Sequence, residues 1–164
     1  MAFFKPERYF KRITDINIER DIVALGFTCV LVDVDNTVRS REDGRVPLDV
    51  QEWLRAVAAA GVTVWLFSNN WHDDVYDFAA ELGLPVIAKA MKPLPYAYAL
   101  AQHRTGHSLG LTLAIGDQLL TDICGAHCVG VAAYLVEPLV EKDLRHTVVL
   151  RRVERALLGP MRPE

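Results

Sequence analysis

Long apolar stretches alternate with stretches whose apolar residues recur at helical spacing. Thr28–Asp35 is β-branched and apolar and closes on two acids. Gly61–Phe67 repeats the pattern and runs into Ser68, Asn69 and Asn70. Pro85–Ala88 is short, Leu111–Ile115 runs into Gly116 and Asp117, and Val131–Val136 is the fifth stretch. Continuous apolar runs suit strands buried on both faces, as in a parallel sheet. Between them, Leu48–Ala60 places Val50, Trp53, Leu54 and Val57 on one helical face and stops at Gly61. Helices are also predicted over Asp73–Leu82, Leu94–Arg104, the short Asp122–His127 and the long, basic Leu139–Leu158. Strand and helix in alternation predict an α/β chain, a doubly wound, Rossmann-like parallel sheet of about five strands with helices on both faces. Such sheets take ligands at the carboxyl ends of their strands. Three of the five end there in polar or acidic residues.

Composition narrows the class. A chain of 164 residues with 51% hydrophobic and 24% charged residues folds as one domain, here spanning 1–164. The net charge of −3 does not support nucleic-acid binding by phosphate neutralisation. That charge is unevenly placed: 1–12 and 142–164 each carry +3, which leaves −9 for the body. No apolar run reaches the roughly 20 residues of a membrane span, and the N-terminus lacks the apolar core of a signal peptide. Three cysteines, Cys29, Cys124 and Cys128, fit a reducing compartment. The expectation is a soluble cytoplasmic protein.

The chemistry concentrates at the strand ends. Asp33 and Asp35 are two apart, so on a strand they share a face. Close like charges resist ionisation unless a cation lies between them, and a hard divalent ion with oxygen ligands would serve. A calcium loop is excluded, because Val38 and Gly44 stand where Gly and Glu are required. Asp117 could complete a metal shell, and Asp122 could do so or cap a helix. Lys92 could neutralise an anion approaching an aspartate, while Ser68 and Asn69 offer a hydroxyl and an amide to an oxyanion.

Taken in order, Asp33-Val34-Asp35-Asn36-Thr37, Ser68-Asn69-Asn70, Lys92-Pro93 and Gly116-Asp117-Gln118-Leu119-Leu120-Thr121-Asp122 resemble the four motifs of the haloacid dehalogenase (HAD) superfamily, most closely its subfamily IIIA, YqeG type. The resemblance covers roughly residues 5–155. It implies a HAD-like fold and an Mg²⁺-dependent phosphatase. Asp33 would be the nucleophile forming an aspartyl-phosphate, and Asp35 the general acid and then base. Ser68, Asn69 and Lys92 would bind substrate. Asp33, Asp35 (through its carbonyl) and Asp117 would hold the metal, with Thr37 and Asp122 in support.

Asp35 and Ser68 are 33 positions apart and Ser68 and Lys92 are 24 apart, so neither interval holds a cap domain; Arg39–Arg45 is expected to form a small flap. An open site and basic ends suit a phosphate on a large or surface-held substrate. The resemblance makes phosphatidylglycerophosphate the leading guess, with the protein peripheral at the inner face of the membrane. A soluble sugar or nucleotide phosphate, a phosphoprotein, or a non-catalytic binding domain are the alternatives. The basic ends read alternatively as a solvated face of the final helix, with Arg151, Arg152 and Arg155, plus a packed N-terminal strap. Cys124, His127 and Cys128 read as packing, with the two thiols buried together, and not as a zinc site. Trp53 and Trp65 read as core, and Trp71 as packing or an entrance residue.

Overall fold

Each of the five apolar stretches supplies a strand, and a sixth strand comes from the N-terminal segment. The computed structural model describes residues 2–140 and 161–164. Its strands are β1 (Arg8–Phe10), β2 (Cys29–Val32), β3 (Thr63–Phe67), β4 (Val86–Ile87), β5 (Thr112–Gly116) and β6 (Ala132–Val136). They form one sheet in the order β1-β6-β5-β2-β3-β4, and every neighbouring pair is parallel. The expected five-strand count is therefore one short. β1 escapes notice because its three residues, Arg8, Tyr9 and Phe10, show no apolar run; it pairs at the edge, with Arg8 beside Tyr134 and Phe10 beside Val136.

The helices are α1 (Leu48–Ala59), α2 (Asp74–Leu82), α3 (Pro95–Thr105) and α4 (Gly125–His127), the last continuing a wide helical turn over Leu119–Cys124. α1 ends before Gly61, whose φ of 84° only glycine adopts freely. The predicted helix Leu139–Leu158 lies outside the described residues except for Leu139 and Val140, which are not helical.

Alternation along β2 divides the core in two. Val30 and Val32 pack with Val50, Leu54 and Val57 of α1 and Val75 and Phe78 of α2. Cys29 and Leu31 face the other way, onto Ala97, Tyr98 and Ala101 of α3 and Ile123 and Ala126. Trp53 is core as expected and donates its indole N–H to the Ile16 carbonyl at 3.0 Å. Trp65 is half-buried and Trp71 is exposed. No cap domain interrupts the described chain. β5 and β3 flank β2, so the chain leaves β2 in one direction and returns on its other side. The crevice at the carboxyl end of β2 is thus the point where strand order reverses, the usual ligand position in such sheets.

The thiols depart from expectation: Cys128 is exposed and Cys124 half-buried, so they form no buried pair. His127 bonds the Phe3 carbonyl and the Glu7 carboxylate at 2.9 and 3.0 Å.

The N-terminal cations are partly internal. Arg8 ion-pairs with Asp21 and Glu164, and Arg12 with Asp49 at 2.6 Å. Asp21, only 1% exposed, also accepts from Arg20 at 2.5 and 2.9 Å and from the Asn17 N–H at 2.9 Å. Its backbone carbonyl takes the Tyr134 hydroxyl at 2.8 Å. Donation from Arg20 outweighs burial and lowers the Asp21 pKa. A lowered carboxylate pKa stabilises the fold above its unfolded value, and that contribution disappears as pH falls through the folded value. Asp21→Ala is expected to destabilise the fold by about 1.5–3 kcal/mol at neutral pH, the range for losing hydrogen bonds to a charged group, since its arginine partners stay open to solvent. In urea unfolding, the difference from the parent should shrink below about pH 4; a constant difference across that range would contradict the assignment.

Candidate active site

The site forms where four chain segments meet at the carboxyl edge of the sheet. Past β2, the Asp33 N–H still donates to the Ile115 carbonyl of β5 at 2.8 Å. The chain then turns through Asn36, in the left-handed region at φ 67°, a conformation asparagine tolerates better than most. The turn is closed by Asn36 N–H to the Arg39 carbonyl at 2.7 Å and Arg39 N–H to the Val34 carbonyl at 2.9 Å. Ser68 follows β3; it is buried, and its hydroxyl accepts the Asn70 N–H at 3.0 Å.

Lys92 joins three of the segments. Its side chain is 2% exposed, and its ammonium lies 2.7 Å from Asp33 Oδ1 and 2.6 Å from Asp122 Oδ1. It also lies 5.1 Å from the centre of the Phe67 ring. Two devices hold it. The Asn69 side chain accepts the Lys92 N–H at 2.7 Å and donates to the Lys92 carbonyl at 2.8 Å. Asp122 in turn accepts the Gln118 N–H at 3.1 Å through its second oxygen. Asp122 therefore orients the lysine and also satisfies a backbone donor where its own helical turn begins. Asn69, expected from the sequence to offer its amide to an oxyanion, clamps the backbone of Lys92.

One oxygen each of Asp33, Asp117 and Asp122 lie within 4.8 Å of one another. Asp33 Oδ2 and Asp117 Oδ1 are buried and, among the described residues, have no hydrogen-bond partner; the same is true of the Thr37 hydroxyl. Two buried carboxylate oxygens without hydrogen-bond donors, in a cluster of three acids, suit a hard divalent cation with oxygen ligands. The Asp35 carboxylate is not in this cluster. Its Oδ1 is 3.0 Å from an Arg39 nitrogen, an ion pair marked along the chain only by a four-residue spacing.

The electrostatics follow from the packing. Burial pushes the Asp33 carboxyl up to about 7, against the opposing pull of Lys92. Burial, then the charges of Asp33 and Asp122, raise Asp117 well above the carboxylate range. Burial disfavours the Lys92 charge, but Asp122 and Asp33 overcome it and leave its pKa raised. Lys92 is thus a permanent cation, while burial and mutual repulsion disfavour the charged forms of Asp33 and Asp117.

Comparison with known proteins identifies the family. A family model described as HAD-hydrolase-like matches residues 90–146, the part that holds Lys92, Asp117 and Asp122. Over 160 residues the chain is 31% identical to "Probable phosphatase YqeG" of Bacillus subtilis (strain 168), covering 98% of this chain and 92% of the relative. The chain belongs to the HAD superfamily, as a YqeG-type member.

Solved structures share the HAD fold at low identity. An uncharacterized protein from Listeria monocytogenes serotype 4b superposes with TM-score 0.57 at 16% identity, over 80% of this chain and 97% of its own. The cobalt-bound deoxy-D-mannose-octulosonate 8-phosphate phosphatase from Haemophilus influenzae gives 0.54 at 12% identity, over 82% and 88%.

One residue outside the expected set is constrained by this packing. A Cβ on Gly116 would lie 2.3 Å from Asp122 Cγ, so the residue ending β5 must be glycine for Asp122 to reach Lys92. Gly116→Ala should displace Asp122 and cost about 1–3 kcal/mol, the overpacking range, with loss of most activity. Urea unfolding beside a turnover assay checks this; full activity at parental stability would refute it.

Proposed function

We propose that the chain hydrolyses a phosphomonoester through a covalent phosphoryl intermediate on Asp33. The observation that carries this reading is the buried ammonium of Lys92 held against Asp33 and Asp122, beside the unpartnered oxygens of Asp33 and Asp117. A binding domain has no need to bury a carboxylate, a lysine and two further acids together, since each costs desolvation. A phosphatase needs that arrangement, because charge placed in advance stabilises a transferring phosphoryl group.

Asp33 Oδ2 and Asp117 Oδ1, with the Asp35 carbonyl, would hold Mg²⁺, which when bound supplies positive charge to the phosphoryl oxygens. Asp33 Oδ1, already held by Lys92, attacks phosphorus; the bond to the ester oxygen breaks, and Asp35 gives that oxygen its proton. Asp35 then takes a proton from water as the water attacks phosphorus, which releases inorganic phosphate and restores Asp33. Lys92 stays charged throughout and balances the phosphoryl group. Ser68 donates its hydroxyl to that group, and Asn69 acts through Lys92.

For the substrate we infer an exposed terminal phosphate on a large or surface-held molecule, with phosphatidylglycerophosphate the leading candidate. The absence of a cap among the described residues supports this. The basic N-terminus supports it less than its charge suggested, because Arg8 and Arg12 are paired with acids; Lys5 and Lys11 are exposed. The C-terminal cations from 142 to 155 lie outside the described residues. Peripheral attachment at a membrane belongs to the same proposal.

Asp33→Asn is expected to reduce p-nitrophenyl phosphate turnover by at least 10³-fold, because it removes the attacking carboxylate. Chelation with EDTA should abolish parental turnover and added Mg²⁺ restore it. Equal rates for parent and Asp33→Asn would refute the enzymatic reading. A panel of phosphatidylglycerophosphate in mixed micelles, sugar phosphates, nucleotides and a phosphopeptide should favour the lipid in kcat/KM; preference for a soluble member would replace that substrate.

A further inference from the structure

Arg39 was not a candidate on sequence, yet it is among the most constrained cations outside the Lys92 cluster. Its side chain is only 13% exposed. One guanidinium nitrogen lies 3.0 Å from Asp35 Oδ1 and another 3.1 Å from Asp74 Oδ2, at the start of α2. The guanidinium carbon stands 4.9 Å from the centre of the Phe78 ring, one turn further along α2. Its own backbone closes the Asp33–Arg39 turn from both sides, as donor to Val34 and acceptor from Asn36. A long, flexible side chain is therefore fixed at both ends, and its rigid planar fork is suited to hold two carboxylates in set directions.

We propose that Arg39 is the positioning residue for Asp35, fixing which of its oxygens transfers the proton. This rests on Asp35 serving as general acid, as proposed above. Arg39 engages Oδ1 alone, so Oδ2 is the oxygen left to carry the proton to the departing ester oxygen and to take one from water. Proton transfer is efficient only within hydrogen-bond reach and alignment, and Asp35, 22% exposed at a turn, has no other described partner to hold its rotamer. The anchor on α2 gives the arrangement a second use. α2 follows directly from the Ser68–Asn70 loop, so Arg39 ties the first motif to the second as Lys92 ties the first to the third and fourth.

A purely structural arginine would also lose activity on mutation, so the test must read proton donation itself. General-acid help matters most when the leaving group is a poor one. Parent, Arg39→Ala, Arg39→Lys, Asp74→Asn, Asp35→Asn and Asp33→Asn would be compared by kcat/KM on p-nitrophenyl phosphate, phenyl phosphate and glycerol 2-phosphate. Arg39→Ala is expected to lose about thirtyfold on the alkyl ester, a part of the 10²–10⁴ that acid–base catalysis contributes, but only about threefold on the p-nitrophenyl ester. Its dependence on leaving group should approach that of Asp35→Asn. Arg39→Lys and Asp74→Asn should fall between it and the parent. Equal losses across the three esters in Arg39→Ala or, should that variant not fold, in Asp74→Asn and Arg39→Lys would overturn the proposal. Should Asp33→Asn keep parental rates, or Asp35→Asn keep the parental dependence on leaving group, the fault would lie with the phosphatase reading instead.

Discussion

The buried ammonium of Lys92 is the interaction on which the rest of the site depends. It brings together carboxylates from the ends of two different strands, Asp33 after β2 and Asp122 after β5. Neither could be buried there unpaired, because removing one partner of a buried ion pair typically costs 3–5 kcal/mol. The surrounding structure reads as the means of holding that charge still. Asn69 grips its backbone, Gly116 leaves space for its second carboxylate, and the sheet fixes the distance between the strands that supply the acids.

The general plan was legible because burial on both faces leaves a plain mark. A strand such as Cys29–Val32 must be apolar at every position, and its run of such residues cannot suit an exposed strand or an amphipathic helix. The site acids were legible for the complementary reason: Asp33, Asp117 and the hydroxyl of Ser68 interrupt those runs where the strands end. β1 was hidden because an edge strand of three residues with an arginine at its head has the composition of a loop. The charge arithmetic was correct as a sum but misleading as a surface. Arg8 and Arg12 count toward a basic end, yet each is turned onto an acid of the body, and a one-dimensional tally carries no information about partners far away in sequence.

Residue roles were less legible than residue identities. Asn69 stands in the expected motif, but both ends of its amide bond the lysine backbone. Asp122 could have been a cap or an orienting acid, and two carboxylate oxygens facing different donors let it be both. Arg39 could not be found from type or spacing, because its significance depends on where α2 lands. Functional detail at this site is tertiary: which oxygen faces which donor is decided by elements that the motifs do not contain.

The edge pairing of β1 bears on how the fold is reached. β1 lies against β6, and the Glu7 carboxylate takes the Ala133 N–H from 126 positions away. The first strand of the chain thus has no neighbour until the last described strand exists. On a ribosome, β2, β3 and β4 can align as they emerge, but β1 must wait for its partner until β6 has been synthesised. Contacts of such long sequence separation form late and slowly. A cation-bearing, three-residue strand is well suited to that interval, since a longer apolar edge would expose a template for pairing with other chains.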